Sequence, residues 1–148
     1  MTRQRPHDNP YKLIEQLSEN THQIIGEVLA HDSLKHEWPR AWCVVADDRL
    51  ELAEAHLSAA ELVEEASSDP DDCHLKRAVI SRAYYAMFCA ARAALSLETN
   101  GDVNDHKKLP DILKKTETLG SVEDRNAVVS AVAQFRSMRN EADYSPYY

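Results

Sequence analysis

Residues that break or bend helices are scarce in this chain of 148 residues. It contains 3 glycines and 6 prolines, too few for a turn-rich β-sandwich or for a low-complexity chain. No segment alternates between apolar and polar residues for long enough to predict a strand. A chain of this length buries roughly 70% of the surface that its unfolded form exposes. We therefore expect a helical globular domain that needs no disulfide or metal ion to fold.

Long apolar runs and paired cysteines are absent as well. The longest apolar run extends from Ala83 to Ala91, far short of the ~20 residues that a membrane span requires, and no signal-peptide pattern opens the chain. Cys43, Cys73 and Cys89 are odd in number and have no pairing pattern, which is typical of reduced thiols. We predict a cytoplasmic protein that does not associate with membranes.

Motifs for metal ions and bound phosphates are also missing. The 7 histidines are scattered, and no HExxH or CxxC pair brings metal ligands together. The chain lacks the two Glu-x-x-His motifs of di-iron helical bundles, a glycine-rich phosphate loop and a GxSxG nucleophile elbow. We therefore predict neither a metal ion nor a cofactor.

Charge is unevenly distributed along the chain. The net charge is −8, and residues 1–69 carry 14 acidic and 6 basic residues, whereas residues 70–148 carry 11 of each. Between Cys73 and Leu97 there are four basic residues and no acidic one. An acidic chain is a poor non-specific binder of nucleic acid, but a local potential depends on geometry rather than on the total. A local basic groove is therefore compatible with the acidic composition.

Apolar residues recur with helical spacing throughout the chain. The pattern predicts helices over residues 11–30, 41–66, 70–97, 106–118 and 122–142, a linker over 31–40 and a polar loop over 98–105. Helices of this length with short connections favour an all-α bundle of four to five helices, with an extra helix at the N-terminus. The predicted division is a helical extension and linker over 1–40 and a bundle over 41–148.

Local signals refine these helices. Asp69 is predicted to be the N-cap of the 70–97 helix, with Pro70 at its first position. Gly120 predicts a helix stop, Ser121 the next N-cap, and Asp124 its capping-box partner. The apolar stripes predict that the following side chains point inward: Trp42, Val45, Leu52, Ala53, Ala60 and Val63 on the 41–66 helix, and Ile80, Tyr84, Met87, Phe88, Ala91 and Leu95 on the 70–97 helix.

The last helix carries the most informative polar cluster. Arg139 falls inside an apolar stripe, where an unpaired charge would be costly, and Asp143 lies one turn further on. Asn140 and Tyr144 flank this pair. One interpretation is a structural ion pair that ends the helix, and the other is an anion-binding site anchored by Arg139.

Two further groups of residues have alternative interpretations. Arg82, Tyr85 and Arg92 share one side of the 70–97 helix, either as a solvated face that pairs with the acidic preceding helix or as an RNA-facing strip on which Tyr85 stacks a base. His106 is predicted at a helix N-terminus, which discourages its protonation. It is therefore either a neutral base or an exposed side chain.

Three blocks of this sequence together resemble the HEPN domain family. Residues 81–88 (SRAYYAMF), followed by Ala90-Ala91-Arg92-Ala93, are similar to the family's second core helix. Residues 105–108 (DHKK) resemble the start of the third core helix. The segment from Arg139-Asn140 to Asp143-Tyr144 resembles the C-terminal motif. The resemblance covers about residues 41–148.

This resemblance implies an α-helical bundle that forms a homodimer, in which two C-terminal motifs line one cleft. It also implies a toxin or defence protein that cleaves RNA without a metal ion, or alternatively a non-catalytic module that binds a nucleotide or a partner nucleotidyltransferase. In several members a nucleotidyltransferase acts as the antitoxin. Nuclease members have a histidine four to six residues after the arginine, and this chain has none there.

The resemblance also implies roles for individual residues. Arg139 would bind the scissile phosphate and Asn140 would orient it. Asp143 and Tyr144 would position the attacking 2′-hydroxyl, with help from His106. Tyr147 would be the tyrosine that a partner nucleotidyltransferase modifies, with Tyr144 as the next candidate.

Overall fold

The computed structural model describes residues 32–66, 69, 72–99 and 101–145. Within these ranges every regular element is a helix, so the all-α prediction is confirmed. The elements are α1 (Asp32–Ala66), α2 (Cys73–Thr99), α3 (Leu109–Leu113), a 3-10 helix (Glu117–Leu119) and α4 (Val122–Tyr144). The helix predicted over 11–30 lies outside the described residues.

The first described helix begins earlier than its sequence suggests. Residues 32–40 belong to α1, so the prediction of a linker there is wrong. Pro39 removes one backbone donor and crowds the preceding turn. However, the rings of Trp38 and Trp42 pack edge to face across this turn, with centroids 5.5 Å apart. Because Trp42 is buried, this contact favours the helical turn around Pro39.

α1 packs lengthwise against α2. Ala46, Ala53 and Ala60 recur every seven residues on α1 and are buried, and their small side chains let the two helices approach closely. Leu52 was expected to point inward but is 49% exposed. It lies about 100° around the helix from Ala53, on the side that faces away from α2.

α2 starts three residues later than predicted, at Cys73. Oδ1 of Asp72 accepts hydrogen bonds from the backbone N–H groups of His74 at 2.8 Å and Leu75 at 3.2 Å. Asp72 is therefore the N-cap, and the assignment of Asp69 is wrong. Both aspartates suit the role, but only the carboxylate of Asp72 directly precedes the helix. Pro70 lies outside the described residues.

The hydrophobic core joins α2 to α3 and α4. Its buried members are Tyr84, Phe88, Ala91, Leu95, Leu109, Leu113, Val129 and Val132. Four of these belong to the stripe predicted for α2, because a period of 3.6 residues aligns them on one face. The core therefore places the middle of α2 opposite the start of α3 and the middle of α4.

The helix predicted over 106–118 is shorter and interrupted. Residues 106–108 form a turn, in which Oδ1 of Asp105 accepts a hydrogen bond from the backbone of Lys107 at 2.8 Å. Pro110 occupies the first turn of α3, where its missing N–H costs nothing. The buried Leu109 and Leu113 fix this short helix to the core.

α4 confirms its predicted start. Oγ of Ser121 accepts a hydrogen bond from the backbone of Asp124 at 3.1 Å, and Oδ2 of Asp124 accepts one from the backbone of Ser121 at 3.0 Å. Gly120 precedes them with φ of 89°, a left-handed conformation that suits glycine. This capping box defines the start of α4.

Candidate functional site

Arg139 lies on α4 between two tyrosines and a carboxylate. Its guanidinium carbon is 5.7 Å from the ring centroid of Tyr85 and 5.4 Å from that of Tyr144. Its Nη2 donates to Tyr85 Oη at 3.4 Å, and its Nε is 2.6 Å from Oδ2 of Asp143. Partial burial alone would lower the pKa of Arg139, but Tyr85, Asp143 and Tyr144 raise it above the ordinary value. The group therefore stays cationic.

The structure thus contains the ion pair expected from the sequence and also leaves part of the guanidinium available. Asp143 faces Nε, and Nη1 reaches the side-chain oxygen of Asn140 at 3.4 Å. A contact of this length is a weak hydrogen bond. The Nη groups of Arg139 can therefore exchange such contacts for an anion while Asp143 keeps the side chain in place.

His106 is fixed by two aromatic residues of α2. Its ring stacks on Phe88, with centroids 3.8 Å apart and an interplanar angle of 13°. Its Nδ1 lies 2.5 Å from Tyr84 Oη. Tyr84 is 1% exposed, and this burial raises the pKa of its hydroxyl, so the hydroxyl stays protonated. With Nδ1 occupied, Nε2 is the ring nitrogen that remains for another partner.

The pKa of His106 is lowered, mainly because the ring is partly buried and then because Arg139, Arg136 and Arg92 are nearby. This lowered pKa favours the neutral-base alternative for His106, but the cause expected for it is wrong. His106 lies in the turn before α3, so a helix N-terminus is not what discourages its protonation.

A cavity of about 290 Å³ brings the predicted residues His106, Arg139 and Asn140 together. It lies between the turn before α3 and the C-terminal part of α4. The other lining residues are Tyr84, Asn104, Asp105, Lys107 and Arg136. We call this space the His106 cavity.

Sequence reasoning missed Arg136 as a site residue. Its side chain is half-buried and lines the His106 cavity, and among the residues that the structure describes no carboxylate forms an ion pair with it. Arg136 and Arg139 are one turn apart and therefore neighbours on one helix face. The three-residue spacing of Arg136 and Arg139 was the signal that could have identified Arg136 from the sequence. No such signal identifies the contact of Tyr84 with His106, because its place in the apolar stripe marks Tyr84 only as a core residue.

Other predicted site residues line a second cavity of about 440 Å³. Arg82, Tyr85 and Asp143 face it, together with Arg77, Ala78 and Ser81. We call it the Arg82 cavity. Tyr144 is 73% exposed, and its ring contacts Arg139. Tyr147 lies outside the described residues.

Arg82 and Arg92 have different surroundings, although the sequence places both on one side of α2, either solvated or facing RNA. Nη1 of Arg82 lies 3.3 Å from Nδ1 of His56 on α1, so Arg82 does not pair with an acidic residue of that helix. Arg92 donates to both oxygens of Asp102, at 3.1 and 2.6 Å. It lines neither cavity. Arg49 also pairs with Asp102 at 2.9 Å, so Asp102 connects α1, α2 and the loop before His106.

No family model, no curated protein and no solved structure matches this chain. The HEPN resemblance therefore stays a prediction from the three sequence blocks. Across the described ranges, no three histidine, cysteine, aspartate or glutamate side chains are placed to hold a metal ion. In the same ranges no helix has the length and apolarity to cross a membrane.

Proposed function

We propose that this chain is a HEPN-type toxin or defence protein that cleaves RNA without a metal ion at the His106 cavity. One observation carries the proposal. A neutral histidine from the turn before α3 and two arginines from α4 line the same cavity. His106 thereby provides, from another part of the chain, a histidine that the segment after Arg139 lacks.

The charges of the cavity suit a phosphate group. Arg136, Arg139 and Lys107 line it, against the single carboxylate of Asp105. Oδ1 of Asp105 accepts a backbone hydrogen bond from Lys107, which occupies part of that carboxylate. A cluster of cations in a concave surface concentrates anions even when the whole chain is acidic. The acidic composition is therefore no obstacle to binding RNA here.

The geometry supports attack by the ribose 2′-hydroxyl on the adjacent phosphorus. When Nδ1 of His106 carries the ring proton, Nδ1–H donates a hydrogen bond to Tyr84 Oη, and Nε2 can take the proton of the 2′-hydroxyl. The new bond joins the 2′-oxygen to phosphorus, and the bond from phosphorus to the 5′-oxygen breaks. The imidazolium then returns its proton to the 5′-oxygen. The products are a 2′,3′-cyclic phosphate and a 5′-hydroxyl.

Arg139 and Arg136 stabilise the extra negative charge that the phosphorane oxygens acquire during this attack. Asn140 orients the phosphate through its side-chain amide. Asp143 holds the guanidinium of Arg139 by its ion pair. In this proposal Asp143 and Tyr144 act on Arg139, whereas His106 acts on the 2′-hydroxyl.

We expect Arg139→Ala to lower RNA cleavage by about 10²- to 10³-fold, because it removes a cation from the developing charge. Cleavage of a fluorescent single-stranded RNA in EDTA, and toxicity on expression in a bacterial host, measure the effect. Arg40→Ala is a matched control, since Arg40 is exposed on α1. Full activity of Arg139→Ala would contradict the proposal. If the wild type binds RNA or a nucleotide in this assay but cleaves nothing, the chain is the non-catalytic binding module.

The proposal includes a homodimer and a nucleotidyltransferase antitoxin. Leu50 and Leu57 are exposed and lie seven residues apart on one face of α1, which supports a further protein contact there. We expect light scattering to give twice the monomer mass of 16.8 kDa. The double variant Leu50→Glu and Leu57→Glu should lower the measured mass toward that of one copy. Lys114→Glu, on the exposed surface beyond α3, is the control, and a monomeric wild type would contradict this part.

A further inference from the structure

The Arg82 cavity adjoins the His106 cavity through a shared wall. Tyr85 lines the Arg82 cavity, and its hydroxyl accepts a hydrogen bond from Arg139 at 3.4 Å. Its ring lies edge-on to His106, with centroids 6.3 Å apart. Asp143 faces the Arg82 cavity and pairs with Arg139. The two spaces are therefore neighbours, separated by Tyr85 and the pair of Arg139 with Asp143.

The Arg82 cavity has the chemistry of a second anion site. Ala78, Arg82 and Tyr85 lie at helical spacing on one face of α2, and Ser81 adds a hydroxyl beside them. The carboxylate of Asp143 is already paired with Arg139. In the described part of the chain no carboxylate pairs with Arg82, whose neighbour is the ring of His56.

The ring of His56 adds no charge beside Arg82. Its pKa is lowered, first by burial and then by the charge of Arg82, so the ring is neutral at pH 7. The Arg82 guanidinium is exposed and keeps its remaining donors for a ligand. An arginine fork of this kind matches the oxygen geometry of a phosphate.

We propose that the Arg82 cavity is a subsite that binds the phosphate of a neighbouring nucleotide of single-stranded RNA, beside the phosphate held in the His106 cavity. This inference rests on the proposed function, because it takes RNA as the ligand of the first cavity. Two phosphate sites on either side of Tyr85 require an extended chain. The substrate is therefore an unpaired RNA segment of several nucleotides rather than a free mononucleotide.

The experiment measures binding separately from cleavage. Fluorescently labelled oligonucleotides of two and six nucleotides, with every 2′-oxygen methylated, cannot be cleaved by attack of that oxygen. Their affinities are measured by fluorescence anisotropy at several salt concentrations for the wild type and Arg82→Gln. Arg40→Gln serves as the control, since it removes an exposed arginine of α1 that lines neither cavity.

We expect Arg82→Gln to weaken binding of the hexanucleotide about tenfold and to reduce its salt dependence by about 0.7 in the logarithmic slope. Binding of the dinucleotide, which has one internal phosphate, should stay within twofold of the wild type. Arg40→Gln should change neither affinity. Thermal unfolding of each variant verifies that the fold is retained.

Three results would overturn the subsite. They are an equal loss for both oligonucleotides, no loss for either, and no binding of either by the wild type. Cleavage of unmodified RNA by the same proteins separates the two proposals. Cleavage with no effect of Arg82→Gln on hexanucleotide affinity rejects the subsite alone. A selective loss of hexanucleotide affinity without any cleavage supports the subsite and rejects the proposed reaction.

Discussion

Replacing His106 with glutamine is expected to lower RNA cleavage by about 10²- to 10⁴-fold, the usual effect of losing a general base. Glutamine preserves size and polarity but cannot take the proton of a 2′-hydroxyl. Because Arg136, Arg139 and Asn140 still line the cavity, RNA affinity should change far less than the rate. Single-turnover cleavage and anisotropy with a non-cleavable oligonucleotide measure the two quantities separately.

His74→Gln is the matched control for this variant, since His74 is exposed at the start of α2. It should cleave RNA at the wild-type rate. Cleavage by His106→Gln within threefold of the wild type would remove His106 from the reaction and leave Arg139 and Tyr144 as the groups to test next. A parallel loss of affinity and rate would instead mean that His106 contributes to binding alone.

The pH dependence of cleavage gives an independent signature. The lowered pKa of His106 keeps the base neutral below the ordinary histidine value of about 6.5, so the acidic limb of the rate profile should lie below that pH. Arg136→Gln removes one of the cations that lower this pKa and should therefore move the acidic limb to higher pH. Between the pKa of His106 in the folded chain and that in the unfolded chain, the unfolded chain binds more protons at this residue. The contribution of His106 to the free energy of unfolding therefore rises with pH in this interval.

Much of the fold follows from local signals in the sequence. The capping box of Ser121 and Asp124 predicts the start of α4, because both partners lie within one turn. The apolar period of α2 predicts the burial of Tyr84 and Phe88 for the same local reason. Pro39 predicts a break, but residues 32–40 are helical, and the packing of Trp38 on Trp42 across this turn is a contact that propensities do not contain.

The site was predicted less completely, because it depends on contacts between distant segments. Arg139 and Asn140 were expected from one motif, and His106 was named without a position relative to them. The loop that carries His106 is held by Asp102, which binds Arg49 of α1 and Arg92 of α2. No spacing along the chain shows that these three residues meet. The same network occupies Arg92, for which the sequence left both a solvated face and an RNA-facing strip open.

Phe88 connects the core to the reaction, and its replacement by alanine should have the largest effect on stability. The side chain is 4% exposed in the core cluster. Phe88→Ala is expected to lower the free energy of unfolding by about 3–5 kcal/mol, because it loses buried apolar area and leaves a cavity. Urea denaturation followed by circular dichroism measures this change. Val128→Ala is the control, since Val128 is partly exposed on α4, and it should cost far less.

Phe88→Leu separates packing from positioning. Leucine fills much of the same volume, so this variant should unfold at a urea concentration between those of the wild type and Phe88→Ala. It removes the flat surface on which the ring of His106 stacks, while Tyr84 still holds Nδ1. Because His106 then has one of its two supports, the variant should cleave RNA more slowly. The acidic limb of its pH–rate profile should shift, and its RNA affinity should not change. An unaltered rate and pH profile in Phe88→Leu would show that Tyr84 alone positions the base and that Phe88 serves only the core.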